Sequence, residues 1–254
     1  MLIVLSPAKS LNFEPQNITK KSTRPVFREE TGILTARLKE MSTSDIVSLM
    51  SVSEKLASLN YERYQSWGRT TEKPKAAIFT FDGDVYDGLD AGSLSEEQAM
   101  SAQKKIRILS GLYGVLKPLD LIRPHRLEMG TKLEVNGFKN LYEFWGGKLT
   151  GEINRAVLQS GSKILLDLAS NEYFKSLDIK HLKAKLITAE FKDLSNGDYR
   201  IISYYAKRAR GLMTRFILDH QIDNPDDLRA FDSDGYRFSP GMSSETKLTF
   251  IRDH

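Results

Sequence analysis

The stretch Leu2-Ile-Val-Leu5-Ser-Pro-Ala-Lys9 begins with four apolar residues and turns polar at a Ser-Pro step. A short apolar run bounded by turn residues is typical of a buried strand that leads into a loop. Residues 163–168 form a second such run, which enters the polar segment Ala169-Ser-Asn-Glu172. Strands and helices alternate irregularly along the rest of the chain. The predicted class is therefore α/β (α+β mixed), with a mixed sheet flanked by helices.

Other segments give further expectations for the fold. Residues 76–81 are apolar and are predicted to form a central strand, and the capping-box pattern Ser95-Glu-Glu-Gln98 predicts a helix from there to about Leu109. Residues 186–191 and 199–205 are predicted to pair around the turn Ser195-Asn-Gly-Asp198. No internal repeat or linker is visible, so one domain is expected over residues 1–254.

Composition excludes several classes of protein. The chain has 254 residues, with 37 Lys and Arg against 33 Asp and Glu, and a formal net charge of +4. Cysteine is absent, which excludes disulfides, cysteine-ligated zinc, iron–sulfur clusters and a thiol nucleophile. The first apolar run is too short for a signal peptide, and no stretch approaches the roughly 20 apolar residues of a membrane span. The expectation is a cytoplasmic protein with no membrane partner.

Basic residues cluster in two acid-poor segments. The segment 199–216 contains five Lys and Arg and no acid, and the segment 103–126 contains six, opposed only by Asp120. If the two segments fold side by side, they form one basic cleft suited to nucleic acid. If they do not, each is a solvated helix face.

The first segment contains Gly111-Leu-Tyr-Gly114 after an apolar run that is predicted to be helical. This pattern resembles the hairpin of helix-hairpin-helix modules, in which glycines let backbone N–H groups approach DNA phosphates without reading sequence. The alternative is a helix C-cap followed by a loop. In the second segment Lys207, Arg210 and Arg215 follow one helical stripe, which suits phosphates or another polyanion. The candidate DNA-binding residues are Lys104, Lys105, Arg107, Ser110, Gly111, Leu112, Gly114, Arg126, Lys207, Arg208, Arg210 and Arg215.

Catalytic candidates follow the two buried strands. Lys9 comes after the first strand and Glu172 after the second, and loops at the carboxyl ends of strands are where sites gather in α/β proteins. With Arg126 they are a candidate acid/base or anion-holding cluster. No Gly-rich phosphate loop, nucleophile elbow or zinc-binding His pair is present. Asp82-Gly-Asp84 fails the calcium-loop spacing, so no metal site and no cofactor are predicted.

Several uncommon blocks occur in one order along the chain: Leu5-Ser-Pro-Ala-Lys9, Gly83-Asp-Val-Tyr86, Leu109-Ser-Gly-Leu-Tyr-Gly114, Arg126-Leu-Glu-Met-Gly130, Glu172-Tyr-Phe-Lys175 and Ala209-Arg-Gly-Leu-Met213. In these blocks the chain resembles the YaaA family, the peroxide stress proteins, essentially from end to end. The resemblance implies a cytoplasmic bacterial protein of the hydrogen-peroxide response that limits damage from unincorporated iron. It also implies DNA binding through a helix-hairpin-helix element and a basic cleft. It brings no established enzymatic reaction.

Three functional hypotheses remain open. The first is binding of duplex, branched or damaged DNA without sequence specificity during peroxide stress. The second is an enzyme in which one cleft holds a small anionic or nucleotide substrate, lined by Ser6, Lys9, Arg126, Glu128, Glu172, Lys207 and Arg210. The third, direct iron sequestration, ranks last because the sequence offers no His pair at ligand spacing.

Overall fold

The computed structural model describes residues 1–69 and 73–253. The strands are β1 Leu2–Leu5, β2 Ser10–Leu11, β3 Lys75–Ala76, β4 Phe81–Asp82, β5 Ile106–Ser110, β6 Gly114–Leu116, β7 Leu121–Ile122, β8 Ile164–Leu168, β9 Lys185–Ser195, β10 Asp198–Arg200, β11 Arg237–Phe238 and β12 Lys247–Arg252. The α-helices are α1 Arg28–Lys39, α2 Thr43–Met50, α3 Glu54–Gln65, α4 Ala77–Thr80, α5 Asp84–Leu89, α6 Glu96–Lys105, α7 Leu141–Trp145, α8 Gly147–Ser160, α9 Asn171–Phe174 and α10 Ser203–Asp219.

A mixed sheet organises the molecule. Its strand order is β11-β12-β9-β8-β1-β5-β6, and β10 pairs with β9 at one end. Strand β1 runs parallel to both β5 and β8, while β5 and β6 are antiparallel. All four residues of β1 are buried, because this strand has a neighbour on each side and helices over its faces. The predicted fold class is confirmed.

Two sequence signals beyond β1 are also confirmed. The turn at residues 195–198 joins β9 and β10 as an antiparallel pair, with Asp198 opposite Ser195, but β10 ends at Arg200 and residues 203–205 of the predicted strand begin α10. At the start of α6 the Ser95 hydroxyl accepts from the Gln98 N–H, and the Gln98 side chain accepts from the Ser95 N–H. This reciprocal capping satisfies two backbone donors that the first turn of the helix leaves free.

Helices α5 and α10 cross with their backbones in contact. A Cβ at Gly211 of α10 would lie 1.8 Å from the carbonyl O of Val85, and one at Gly88 of α5 would lie 2.2 Å from the carbonyl O of Arg208. Neither distance leaves room for a side chain. Two glycines facing each other therefore let the two helices approach closely, and this contact sets where the side chains of α10 lie relative to α5.

Two predicted elements are wrong. The predicted helix stops at Lys105, and the next five residues form the buried strand β5, because their apolar side chains pack between β1 and β6. Gly111-Leu-Tyr-Gly114 is therefore the turn of a β-hairpin and not a helix-hairpin-helix element. The strand predicted at 76–81 is interrupted by α4, where the Thr80 hydroxyl donates to the carbonyl O of Ala76 and closes a helical turn.

No helix in the described part of the chain is both long and apolar enough to cross a bilayer.

Candidate functional site

A pocket of about 260 Å³ opens at the carboxyl ends of β1 and β8. The two strands are parallel neighbours, so the loops that follow them meet at the same edge of the sheet. Helices α5 and α10 supply the opposite wall. We call this cavity the strand-end pocket; its lining is Ser6, Pro7, Ala8, Lys9, Ser10, Asp82, Gly83, Asp84, Val85, Glu128, Ser170, Glu172, Tyr173, Lys207 and Arg210.

Hydrogen bonds hold the two strand-end loops together at one side of the pocket. The N–H of Ser170 donates to the Ser6 hydroxyl at 2.8 Å, and that hydroxyl donates to the Ser170 Oγ at 3.2 Å. The buried Tyr86 hydroxyl donates to the carbonyl O of Ser6 at 3.0 Å. Burial raises the pKa of Tyr86 well above its usual value, so its phenol keeps the proton that it donates. These hydrogen bonds hold the two loops in a fixed position relative to each other.

Lys9, Arg126 and Glu172, the three catalytic candidates, lie close to this pocket but in different ways. Lys9 and Glu172 line it, and Glu172 accepts a hydrogen bond from the N–H of Gly130 at 2.9 Å. Arg126 does not line it and is joined through Glu128, whose two oxygens lie 2.8 Å from Lys9 Nζ and 2.9 Å from Arg126 Nη2. Glu128 is thus the bridging acid of this cluster. Of the seven residues expected to line one cleft, six line the strand-end pocket.

Arg210 lines the pocket from α10 and differs from its neighbours in its pairing. Among the described residues, no carboxylate lies within ion-pair distance of its guanidinium, and its electrostatic partner is Asp167 on β8. Burial raises the pKa of Asp167 to about 7, against the opposing effects of a hydrogen bond from the Ala169 N–H and the charge of Arg210. Burial also lowers the pKa of Arg210. A carboxyl that titrates near neutrality therefore interacts with a pocket-lining cation.

Asp84 and Asp167 were not among the predicted site residues. Asp84 Oδ2 lies 3.5 Å from Lys207 Nζ across the pocket wall, at the start of α5. Asp167 is the single acid in the strand Ile-Leu-Leu-Asp-Leu. A lone carboxyl inside a buried apolar strand was a usable signal, since such a group is seldom buried without a function or a partner. Within residues 1–69 and 73–253 no three potential ligands are grouped to hold a metal ion.

The other predicted cations of α10 are paired outside the pocket. Arg208 Nε lies 3.9 Å from Asp234. Arg215 Nε donates to both carboxylate oxygens of Asp219 at 2.8 and 2.9 Å, and its Nη1 donates to the Ser93 hydroxyl. The predicted stripe of cations is therefore incomplete. Asp219 lies one helical turn further along the same helix and neutralises Arg215.

Part of the first basic segment lies at the opposite edge of the sheet, whereas its last residue, Arg126, lies near the strand-end pocket. Lys104, Lys105 and Arg107 line a cavity with Met1, whereas Ser6 lines the strand-end pocket. Met1 and Ser6 flank β1, so at about 3.3 Å per residue they are about 16 Å apart. The cavity that Lys104, Lys105 and Arg107 line is therefore separate from the pocket that Lys207 and Arg210 line.

The predicted phosphate-binding hairpin lies in the core. Five of the candidate DNA-binding residues are buried: Arg107, Ser110, Gly111, Leu112 and Gly114. The carbonyl O of Gly111 accepts from Trp145 Nε1 at 2.9 Å, and the Ser110 hydroxyl accepts from the Tyr113 N–H. Their polar groups therefore serve the hairpin and its packing, and a duplex on the surface does not reach them.

Comparisons with known proteins cover the whole chain. A family model described as peroxide stress protein YaaA matches residues 1–242. A UPF0246 protein of Aliivibrio fischeri is 51% identical over 255 residues, which span 100% of this chain and 98% of the relative. UPF0246 proteins of Shewanella oneidensis and Hahella chejuensis are 49% and 46% identical, with 100% of this chain and 99% and 100% of each relative covered.

Proposed function

Because this chain belongs to the family of the peroxide stress protein YaaA, we propose that it acts in the peroxide stress response by holding a small anionic ligand at Arg210 in the strand-end pocket. One observation carries the proposal: the guanidinium of Arg210 faces a concave pocket with no carboxylate of the described residues within ion-pair distance. A guanidinium presents a fork of N–H donors that matches a carboxylate or a phosphate. Among the cations of the described residues that line this pocket, Arg210 is thus the one without a carboxylate at ion-pair distance.

The rim of the pocket adds to this attraction. The side chains of Lys9 and Lys207 are 64% and 50% exposed, on opposite walls of the opening. Their acidic partners, Glu128 and Asp84, are less exposed than they are. The ammonium groups are therefore the charges that an approaching ligand meets first, and their field favours the entry of an anion.

Acid–base chemistry on the bound anion is the enzymatic form of this proposal. Asp167 has a pKa of about 7, so near neutral pH it is present in both protonation states. Its interaction with Arg210 couples its proton to the charge at the binding group. A substrate held by Arg210 would thus be coupled, through that guanidinium, to a group that changes its protonation state near neutral pH, although Asp167 does not itself line the pocket.

The test uses peroxide survival and binding together. A strain lacking the gene is complemented with wild-type protein, Arg210→Ala or Arg229→Ala, a surface arginine that pairs with Asp226 away from the pocket. We expect the strain that carries Arg210→Ala to survive hydrogen peroxide no better than the deletion strain. The strain that carries Arg229→Ala should survive as well as the strain with the wild-type protein. Purified proteins are compared in thermal shift against inorganic phosphate, mononucleotides and dicarboxylates. Full rescue by Arg210→Ala, or equal ligand shifts in both variants, would reject the proposal.

Binding of DNA without sequence specificity, duplex or branched and damaged, is the second candidate function. The favouring observation is that Lys9 and Lys207 are half or more exposed at one opening, with Arg208 following on α10 at 40% exposure. These cations can reach backbone phosphates, which the buried residues of the hairpin cannot. Contacts of this kind position a protein on DNA and carry no sequence information. Shielding DNA from iron-dependent oxidation is the part of the peroxide response that such binding would serve.

Fluorescence anisotropy on labelled duplex and branched DNA tests the second candidate. We expect Lys9→Glu with Lys207→Glu to weaken binding, and the logarithm of affinity to fall with the logarithm of salt by about 0.9 per phosphate neutralised. Arg215→Ala is the matched control, because Asp219 already neutralises that cation. Binding that is unchanged in the double variant, or lost in Arg215→Ala alone, would show that Lys9 and Lys207 do not form a DNA interface.

A further inference from the structure

Two adjoining cavities lie at the edge of the sheet opposite the strand-end pocket. One has a volume of about 170 Å³ and the other about 550 Å³. Arg107, Lys117 and Gln159 line both of them, and Met1 at the start of β1 lines the larger. We call the pair the Arg107 cavity. The proposed function does not use any residue of its lining.

Its lining concentrates positive charge. The lining contains three carboxylates, the amino terminus and six basic side chains, namely Arg24, Lys104, Lys105, Arg107, Lys117 and Arg155. The excess of basic over acidic side chains in this lining is thus three, most of the formal net charge of +4 that the whole chain carries. This lining is therefore a local concentration of positive charge.

The three carboxylates are already engaged. Glu152 is paired with Arg155. Asp223 lies 2.6 Å from Lys105 Nζ and 3.3 Å from the amino terminus. Asp120 accepts from the Thr23 hydroxyl at 2.6 Å and from the N–H of Lys117 at 2.8 Å. Within the described ranges, no carboxylate lies at ion-pair distance from the remaining cations, which are Arg24, Lys104, Arg107 and Lys117.

Arg107 is the decisive residue because it is both charged and buried. Its residue surface is 5% exposed. Nη1 donates to the carbonyl O of Gln103 at 3.2 Å and of Ile106 at 2.7 Å, while Nε has no hydrogen-bond partner among the described residues. Buried charges in folded proteins are almost always paired, since the desolvation of an uncompensated charge is costly. Asp120 and Glu152, which line the same cavity, interact electrostatically with Arg107 without forming an ion pair, and an anion in the cavity would add a further countercharge.

We propose that the Arg107 cavity binds a small phosphate-bearing molecule from solution. A phosphate group carries close to two negative charges and three acceptor oxygens, which suits several converging cations better than the single charge of a carboxylate does. The ligand is small because Arg107 lies at the base of a cavity, 5% exposed, where a backbone phosphate of a stiff duplex does not reach it. The site lies at the other end of β1 from the strand-end pocket and is independent of it.

Calorimetry and thermal unfolding of the full chain, with inorganic phosphate and pyrophosphate as probes, test this proposal. Both probes are raised to about 10 mM, enough to occupy a site of millimolar affinity. We expect both to raise the melting temperature, pyrophosphate at lower concentration. Lys104→Ala and Lys117→Ala should each weaken binding about tenfold, the usual effect of losing one charge-assisted hydrogen bond. With Arg210→Ala as the background, so that the strand-end pocket does not bind the probes, Arg107→Met should abolish binding, and Lys183→Ala, an exposed lysine elsewhere, should leave it unchanged.

The two lysine variants keep the test decisive, because their side chains carry no part of the core even if Arg107→Met fails to fold. Three results would overturn the proposal. The first is no stabilisation of the wild-type protein by either probe. The second is probe binding that is lost in Arg210→Ala alone, which would place the phosphate in the strand-end pocket, or that persists undiminished in Arg210→Ala when Lys104→Ala and Lys117→Ala are added. The third is displacement of pyrophosphate by short duplex DNA through the same lysines, which would make the ligand a nucleic acid.

Discussion

At the scale of single residues, Asp167 has the least favourable surroundings for its charge. It lies on β8 between β1 and β9, where its neighbours along the strand are apolar. Burial raises its pKa to about 7, and the Ala169 N–H and Arg210 offset only part of that effect. The folded protein is therefore less stable at alkaline pH, where Asp167 is ionised.

Asp167→Asn should change how stability depends on pH. In the unfolded chain the carboxyl titrates near 3.8, and in the folded protein near 7, so the folded state binds more protons between these values. Stability contributed by this group is complete below pH 3.8 and is lost as the pH rises through 7. Urea unfolding from pH 4 to 8 should show the wild-type protein losing stability relative to Asp167→Asn over this window.

The control for this measurement is Asp227→Asn, at an exposed position. Its free energy of unfolding should differ from wild type by an amount that does not vary with pH. A constant difference between wild type and Asp167→Asn would contradict the shifted titration, and with it the acid–base form of the proposed function.

At the scale of elements, the crossing of α5 and α10 builds one wall of the strand-end pocket. Asp84 begins α5, and Lys207 and Arg210 lie on α10 within one turn of the contact at Gly211. Because the backbones touch, a small increase in helix separation would move all three charged groups relative to the loops after β1 and β8. The glycines thus act on the site through distance and not through any contact with a ligand.

Gly211→Ala should destabilise the protein by more than about 3 kcal/mol, because the new Cβ would lie 1.8 Å from the carbonyl O of Val85 and the helices would have to separate. Gly151→Ala, in the middle of α8 with no atom within 4 Å of a new Cβ, should stabilise it by about 1 kcal/mol. Chemical denaturation of the two variants measures both changes. Equal free energies of unfolding would show that the helices do not meet as described.

The hairpin of β5 and β6 shows where element prediction fails. Residues 106–109 are apolar except for Arg107, and such a short stretch occurs in buried strands and in buried helices, which local pattern does not distinguish. The deciding contacts are long-range, since Ile106 and Ile108 pair with Ile3 and Leu5 of β1 a hundred residues away. Pairing with a central strand outweighs the helical propensity that continues from α6.

At the scale of the whole molecule, the sheet separates two sites of different character. Among the described residues, the strand-end pocket has one cation without a carboxylate at ion-pair distance, and the Arg107 cavity at the other end of β1 has four. This arrangement follows from the α/β connectivity, in which loops at the carboxyl ends of strands form one edge and helix-to-strand junctions form the other. The net charge of +4 does not indicate that either of these sites exists.

Substitutions at the two edges should be additive. Met1 and Ser6, which mark the edges, are about 16 Å apart at about 3.3 Å per residue, and sites this far apart without shared partners couple by less than about 0.5 kcal/mol. We expect the change in free energy of unfolding in Arg107→Met with Arg210→Ala to equal the total of the single changes. A larger departure in chemical denaturation would mean that the two cavities are energetically linked through β1.

The sequence by itself determined the mixed α/β class, the buried strand β1, the capped start of α6 and the polar clusters after β1 and β8. These features depend on residues close together in the chain, or on the rule that parallel strands end at one edge. Six of the seven residues expected in one cleft lie in the strand-end pocket for that reason.

Only the tertiary structure decided which cations remain unneutralised. Arg107 was expected to face DNA and is buried, and Arg215 is neutralised by Asp219, whereas among the described residues Arg210 has no carboxylate at ion-pair distance and interacts with Asp167 from further away. Burial and ion pairing depend on which distant segments meet, and a side chain's charge in the sequence is the same whether or not an acid lies beside it in the fold. The charge that a ligand encounters is therefore a property of the folded chain.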